Sequence, residues 1–150
     1  MSELFKIVLT SSLTVLGGVI IFSLGQLIQK FLIDPVHQQA KVIGEISFAL
    51  TYYACWYANP GMGRADNLNA VYDALRHCAS QLAATTNSIH CYRCFNMLGL
   101  VPDRCDVSDA KGRLLLIANS IYQTDKGRDN STDAKEIKRL LRVLDEPTAA

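Results

Sequence analysis

The sequence predicts an all-α protein with a single N-terminal transmembrane helix followed by a cytoplasmic bundle of four to five helices. The first observation is that 23 residues, 7–29, carry no ionisable side chain and are flanked by Lys6 and Lys30. The second is that apolar side chains after residue 33 recur at spacings of three and four, which is typical of amphipathic helices. The third is that no segment alternates apolar and polar residues as a half-buried strand does.

The uncharged stretch is long enough to cross a lipid bilayer. A helix of this length extends about 34 Å, whereas a hydrocarbon core is about 30 Å thick. A cleavable signal peptide is the alternative, with an apolar region of about 7–15 residues before a small-residue cleavage site. Here the apolar run continues past Lys30 through residues 31–33, so we expect a retained membrane anchor.

The distribution of basic residues predicts the orientation of this anchor. Only Lys6 precedes the span, and 14 of the 15 Lys and Arg residues follow it. Because basic residues favour the cytoplasmic side, we expect a single-pass inner-membrane protein whose C-terminal body is cytoplasmic. All five cysteines lie after the span, and their odd number fits reduced cytosolic thiols better than a disulfide framework.

Small residues define one face of the predicted membrane helix. Ser11, Gly18 and Gly25 are seven residues apart, and Thr14 lies between the first two. Such a face lets a second helix approach closely, with hydroxyl groups available across the contact. It therefore predicts a homo-oligomer, although Gly and Ser are also common in membrane helices that do not associate.

Three segments are expected along the chain: residues 1–33 as tail and anchor, residues 34–146 as the bundle, and residues 147–150 as a flexible tail. Capping residues and apolar spacings place the elements of the bundle. The expected elements are Pro35–Ala58, Asp66–Thr85, Ile89–Leu98 ending at Gly99, a helix from about Asp106 capped by Ser108, a charged surface loop at Thr124–Asn130, and Thr132–Leu144 capped by Ser131.

A helix-packing seam is predicted along the first bundle helix. Val36, Ile43, Leu50 and Tyr57 recur every seven residues, as in the contact line between packed helices. Residues 46–63 carry no charge, so we expect this helix to be largely buried. A second membrane span is the alternative, but nearby charges and interspersed polar residues disfavour it. A further alternative is that the aromatic residues of this helix anchor it at the membrane interface.

Four residues are the candidates for binding a metal ion. Cys91 and Cys94 have the C-x-x-C spacing of a zinc knuckle, and Cys105 with His90 (or, alternatively, with Cys78 or His77) would complete a tetrahedral set. The chain has no second C-x-x-C motif, and the remaining spacing matches no standard zinc finger. Cysteine is also a small, often buried apolar residue, and a thioredoxin-like motif requires a strand–helix context. We therefore expect no metal and no cofactor.

Charge does not favour nucleic-acid binding. The net charge is +1, so no global field attracts a polyanion. A basic cluster on the last helix offers a contact for lipid headgroups or nucleic acid, but Asp133 and Glu136 lie within it. Mixed charge is typical of a solvent-exposed helix with local ion pairs. The basic residues are Lys135, Lys138, Arg139 and Arg142.

The sequence favours an interaction protein over an enzyme. It contains no G-x-S-x-G motif and no glycine-rich phosphate loop. The leading hypothesis is a membrane-anchored scaffold that self-associates and presents its helical body to a cytosolic protein partner. One alternative is a small pore-forming effector, such as a toxin or defence protein, whose pore is lined by the hydroxyls of the span. The other is a membrane-tethered sensor that uses zinc or thiols.

Overall fold

A computed structural model describes residues 3–61, 64–123 and 127–143 of the chain. The described residues form helices, turns and bends without a strand, which confirms the predicted all-α class. The chain divides into two compact units between Asp34 and Pro35. Each unit is described by itself below.

The first unit consists of helix α1, Glu3–Ile28, and a π-helical turn, Gln29–Ile33. The most apolar window of 18 residues in this N-terminal helix has a mean hydropathy of 2.2, and none of its residues is buried. This helix is therefore long and apolar enough to span a membrane. Length and composition of this kind are shared by membrane spans and signal sequences.

The second unit contains six helical segments among its described residues. The predicted helix Pro35–Ala58 is interrupted at Tyr53, whose φ and ψ are −93° and 10°. The Tyr57 hydroxyl donates to the Leu50 carbonyl at 2.8 Å. This hydrogen bond spans Tyr53 and stabilises the interrupted helix. The segments are α2 at Asp34–Tyr52, α3 at Ala54–Ala58, α4 at Ala65–Ser88, α5 at Tyr92–Met97, α6 at Arg104–Ser120 and α7 at Gly127–Leu140.

The predicted start of α6 was wrong. The cap is Asp103, whose carboxylate accepts from the Cys105 backbone N–H at 2.8 Å, and the helix begins at Arg104. Both Asp103 and Ser108 are good capping residues, but Asp103 follows Pro102, which cannot continue a preceding helix. Ser108 instead lies one turn inside the helix.

The predicted start of α7 was also wrong. The helix begins at Gly127, so the charged loop expected up to Asn130 is helical in its second half. Asn130 is buried and uses both ends of its side-chain amide, which fixes this turn against the body. The remainder of the predicted loop, residues 124–126, lies outside the described residues. So does the predicted tail at 147–150. The predicted end of the helix at Leu144 was wrong, because α7 ends at Leu140 and the Arg142 backbone has a φ of 57° in the left-handed region.

The core of the body lies where α4 packs against α6, α6 against α7, and α3 against α7. Each large apolar side chain that is fully buried contributes about 1.5–3 kcal/mol through the hydrophobic effect. The largest buried apolar side chains are Ile46, Leu50, Val71, Leu75, Leu82, Leu114, Ile117, Ile121 and Ile137.

A second, smaller apolar cluster surrounds α5. Ile89, Tyr92 and Val101 form its buried centre, and Val36 and Phe95 pack against it. Val36 belongs to the first turn of α2, so this cluster joins the beginning of the body to the segment around α5.

The residues of the predicted seam lie inside the body. Leu50 and Tyr57 are buried in the main core, and Ile43 packs against that core while Val36 joins the second cluster. The uncharged stretch that follows is nevertheless only partly buried. Phe48 is 67% exposed and Tyr52 is 60% exposed. One side of α2 faces the core, and the absence of charge on the other side did not indicate burial.

Candidate functional site

A surface cleft of about 800 Å³ lies beside α5 and the first turn of α6. It contains two of the candidate metal ligands, two arginines and one carboxylate. The lining residues are Cys91, Tyr92, Arg93, Cys94, Asn96, Asp103 and Arg104.

Backbone geometry and one aromatic ring build this cleft. Cys91 has a φ of 55° in the left-handed region and turns the chain into α5. The Tyr92 ring lines the cleft, and the Arg104 guanidinium lies 4.7 Å from its centroid. Such a stacked cation is attracted by the ring's electron-rich face. The Tyr92 hydroxyl donates to the Pro102 carbonyl at 2.8 Å, which ties α5 to the segment that begins α6.

A buried amide supports the cleft from below. The Gln39 Nε2 group donates to the Thr86 hydroxyl at 2.9 Å and to the Tyr92 hydroxyl at 3.3 Å. Gln39 is only 1% exposed, and its Oε1 atom is buried without a partner within the structure. This polar centre links α2, α4 and α5. Sequence analysis missed it, because a single Gln between apolar positions gives no pattern that marks it as buried.

The candidate metal ligands are not assembled into a site in the part of the chain that the structure describes. Cys91 and Cys94 line the cleft, Cys105 lies in the first turn of α6, and His90 directly precedes Cys91. Within the same residues, no three His, Cys, Asp or Glu side chains come close enough together to hold a metal ion. All five cysteines are free thiols, and Cys78 is the buried one.

The electrostatic surroundings of two thiols oppose thiolate formation. A hydrogen bond with Asp103, together with its negative charge, raises the pKa of the Cys105 thiol. Burial raises the pKa of the Cys78 thiol, and Glu45 adds to this effect. Reactive cysteines require the opposite, a positive environment that stabilises the thiolate. These two residues are therefore poorly suited to nucleophilic or redox chemistry.

The predicted packing face of α1 is exposed in the single chain. Ser11, Thr14, Gly18 and Gly25 all lie at the surface. A Cβ atom added at Gly18 or Gly25 would meet nothing within 4 Å. The Thr14 hydroxyl donates to the Thr10 carbonyl at 3.0 Å, so its proton is already used within the helix.

Other hydroxyls of the predicted span are bonded in the same way. Thr10 donates to the Lys6 carbonyl at 2.9 Å, and Ser12 donates to the Val8 carbonyl at 2.8 Å. A contact on the small-residue face of α1 would therefore depend mainly on close backbone approach and van der Waals packing.

The basic cluster of α7 carries local ion pairs. Arg139 donates to both carboxylate oxygens of Glu136, at 2.6 and 2.9 Å, and Arg113 of α6 pairs with Asp133 of α7. The Arg139 hydrogen bond lowers the pKa of the Glu136 carboxyl. These contacts agree with the predicted mixed-charge surface.

Sequence analysis also missed an exposed apolar segment that begins at Met97, the last residue of α5. Met97 is 86% exposed, Leu98 is 68% exposed and Leu100 is 60% exposed. The available signal was three large apolar residues around Gly99, without a charge, directly after a short helix. The sequence alone predicts only a helix end at these residues.

Comparisons with known proteins identify no relatives of this chain. No protein-family model matches it, and searches of curated proteins and of solved structures find no significant similarity.

Proposed function

We propose that this chain is a membrane-anchored, non-enzymatic helical interaction protein that self-associates through α1 and presents its body to a cytosolic protein. The observation that carries the proposal is α1 itself, which is apolar on all sides and leaves its small-residue face uncovered. The proposal places the protein in the inner membrane as a single-pass protein with a cytoplasmic body.

Anchoring follows from the surface that α1 exposes. Monomeric soluble proteins rarely expose contiguous apolar patches larger than a few hundred Å², whereas every large apolar side chain in the span is exposed here. A bilayer would cover all of them and leave Lys6 and Lys30 near its two surfaces. The excess of basic residues after the span supports a cytoplasmic body.

Self-association is assigned to the α1 face rather than to the seam of α2. Leu50 and Tyr57 already pack inside the body's own core, so they cannot also contact a second copy. Gly18 and Gly25 leave open space that a second helix can fill by close packing.

The surface offered to a partner is the exposed aromatic side of α2. The rings of Phe48 and Tyr52 stack with centroids 5.6 Å apart, and Tyr53 makes an edge contact with Tyr52 at 4.9 Å. Exposed aromatic groups of this kind often anchor protein interfaces. The raised pKa values of the Cys78 and Cys105 thiols support a binding role over thiol catalysis.

Location is tested with a membrane-impermeant thiol reagent. Cys91, Cys94 and Cys105 are exposed, so they report the side of the membrane on which the body lies. We expect the full-length protein to remain in the membrane fraction after alkaline washing. We expect labelling only after cells are permeabilised. Recovery in the soluble fraction, or labelling in intact cells, would overturn the proposal.

Association is tested by filling the α1 face. Gly18→Leu and Gly25→Leu should lower the fraction of protein crosslinked as dimers or higher oligomers in native membranes. Gly17→Leu is the matched control, since position 17 lies about 100° around the helix from position 18. Equal crosslinking in all three variants and the wild type would show that α1 does not associate through this face.

A further inference from the structure

We propose that the turn formed by Met97, Leu98, Gly99 and Leu100, here called the apolar tip, inserts into the interfacial region of the bilayer that holds α1. The inference rests on the proposed function, because it requires that α1 anchors the chain in a membrane. The occupant of this surface is therefore the lipid itself, at the boundary between headgroups and acyl chains.

The apolar tip is exposed to solvent. Its three large side chains are 60–86% exposed. Val101 and Tyr92 on either side are only 2% and 4% exposed. Within the part of the chain that the structure describes, these three side chains belong to neither apolar cluster. Small loops of this kind suit partial insertion, which depends on buried apolar area.

The tip is also held in one shape. The Gly99 N–H donates to the Asn96 carbonyl at 2.9 Å, and the Leu100 N–H donates to the Phe95 carbonyl at 3.0 Å. With a φ of 74° at Gly99, these bonds form a Schellman cap at the end of α5. The Asn96 side chain adds a bond to the Val101 carbonyl at 3.2 Å. Little conformational entropy is therefore lost when the tip is buried in lipid.

The location of the tip within the body selects the bilayer as its partner. Phe95 and Val101, which flank the tip, belong to the same apolar cluster as Val36. Val36 follows the last apolar residue of the predicted anchor, Ile33, by three positions. Three residues extend at most about 11 Å. Val36, in the cluster that supports the tip, is thus tethered by the covalent chain within that distance of the end of the proposed anchor.

Charge around the tip is compatible with a neutral lipid surface. Arg93 and Arg104 border the adjoining cleft together with Asp103, and all three are exposed. Arginine side chains tolerate the interface because their stems are apolar while the guanidinium stays hydrated. The insertion is driven by the apolar tip, so vesicles of zwitterionic lipid are a sufficient probe.

The test uses tryptophan as a depth probe in the full-length protein, reconstituted into phosphatidylcholine vesicles with and without brominated acyl chains. The variants are Leu98→Trp at the tip, Leu116→Trp as the matched control and Val19→Trp inside α1. Leu116 is 60% exposed on α6, about 18 Å along the helix from its first turn. The wild type, with Trp56 as its only tryptophan, supplies the background emission.

We expect brominated lipid to remove most of the emission added at positions 98 and 19 and little of that added at position 116. Quenching at position 19 without quenching at position 98 would overturn the tip inference and leave anchoring intact. A blue-shifted, unquenched probe at position 98 would also overturn it, by showing that protein covers the tip. No quenching at position 19 would overturn the proposed function, and the tip inference with it.

Discussion

At the scale of single residues, the Tyr92 side chain joins several parts of the body. Its hydroxyl donates to the Pro102 carbonyl and accepts from the Gln39 amide, and its ring lies beneath Arg104. These contacts hold α5, and therefore the cleft and the apolar tip, against the first turns of α2 and α6.

Tyr92→Phe should lower the free energy of unfolding by about 1–3 kcal/mol, because the buried Pro102 carbonyl loses its donor. Gln39→Met is the control. It removes an amide whose Oε1 is buried without a partner among the residues that the structure describes, and both hydroxyls that it contacts keep their own acceptors. Its effect should be smaller than that of Tyr92→Phe. Denaturant unfolding of both variants provides the measurement, and the reverse order would contradict this account of the polar centre.

Asp103→Asn should make Cys105 more reactive. Asparagine still caps α6, but it lacks the negative charge that raises the pKa of the Cys105 thiol. The thiolate fraction near neutral pH should therefore rise, and alkylation should become faster. Peptide-level mass spectrometry after timed alkylation measures the rate, with Cys94 in the same digest as an internal control. An unchanged rate at Cys105 would show that Asp103 does not control this thiol.

At the scale of elements, the sequence predicted which segments are helical more reliably than where each helix begins. The apolar spacings identified α4 to within a few residues, and Gly99 was correctly predicted to end the helix at α5. Capping residues did not identify the start of a helix where two candidates lay close together, as Asp103 and Ser108 do at α6. The interruption at Tyr53 depends on a bond between Tyr57 and Leu50 that no local pattern reveals.

Asn130 joins three elements and should be costly to remove. Its Nδ2 donates to the Tyr57 carbonyl at 3.1 Å, and its Oδ1 accepts from the Ser120 hydroxyl at 2.6 Å. Asn130→Ala should lower the free energy of unfolding by about 1–3 kcal/mol, since it leaves buried polar groups without partners. Lys135→Ala, an exposed change on the same helix, should have little effect. Equal thermal unfolding midpoints would mean that this bridge contributes nothing.

At the scale of the whole molecule, three buried acids make the body sensitive to alkali. Burial raises the pKa of Cys78 above its ordinary 9.0 and those of Tyr57 and Tyr92 above 10.0. Above these ordinary values the unfolded chain has released protons that the native state still holds, so stability falls as pH rises. Below them the stabilisation is fully present.

Denaturant midpoints should accordingly decline as pH rises beyond the ordinary value of the Cys78 thiol, 9.0, and fall further above 10.0. Tyr92→Phe removes one of the titrating groups, so its midpoint should fall less steeply over this range than that of the wild type. Parallel slopes in the two proteins would show that Tyr92 does not titrate on unfolding.

The whole-molecule organisation was easier to predict than the candidate site. A long uncharged run identifies α1 without reference to any other part of the chain. The cleft, by contrast, depends on Tyr92, Arg104 and Gln39, which come together from three separate helices. The apolar tip was missed for a related reason. Only the packing of Phe95 and Val101 into the second cluster, with Met97, Leu98 and Leu100 left exposed between them, reveals the tip.

The four exposed thiols, Cys55, Cys91, Cys94 and Cys105, have a practical consequence for any study of assembly. When purified protein is handled in air, such groups form bridges between molecules through thiol–disulfide exchange. Covalent adducts of this origin would migrate as dimers on a non-reducing gel, whether or not the α1 helices associate. Samples kept under reductant until crosslinking, or a chain with these positions replaced by serine, separate accidental oxidation from genuine pairing.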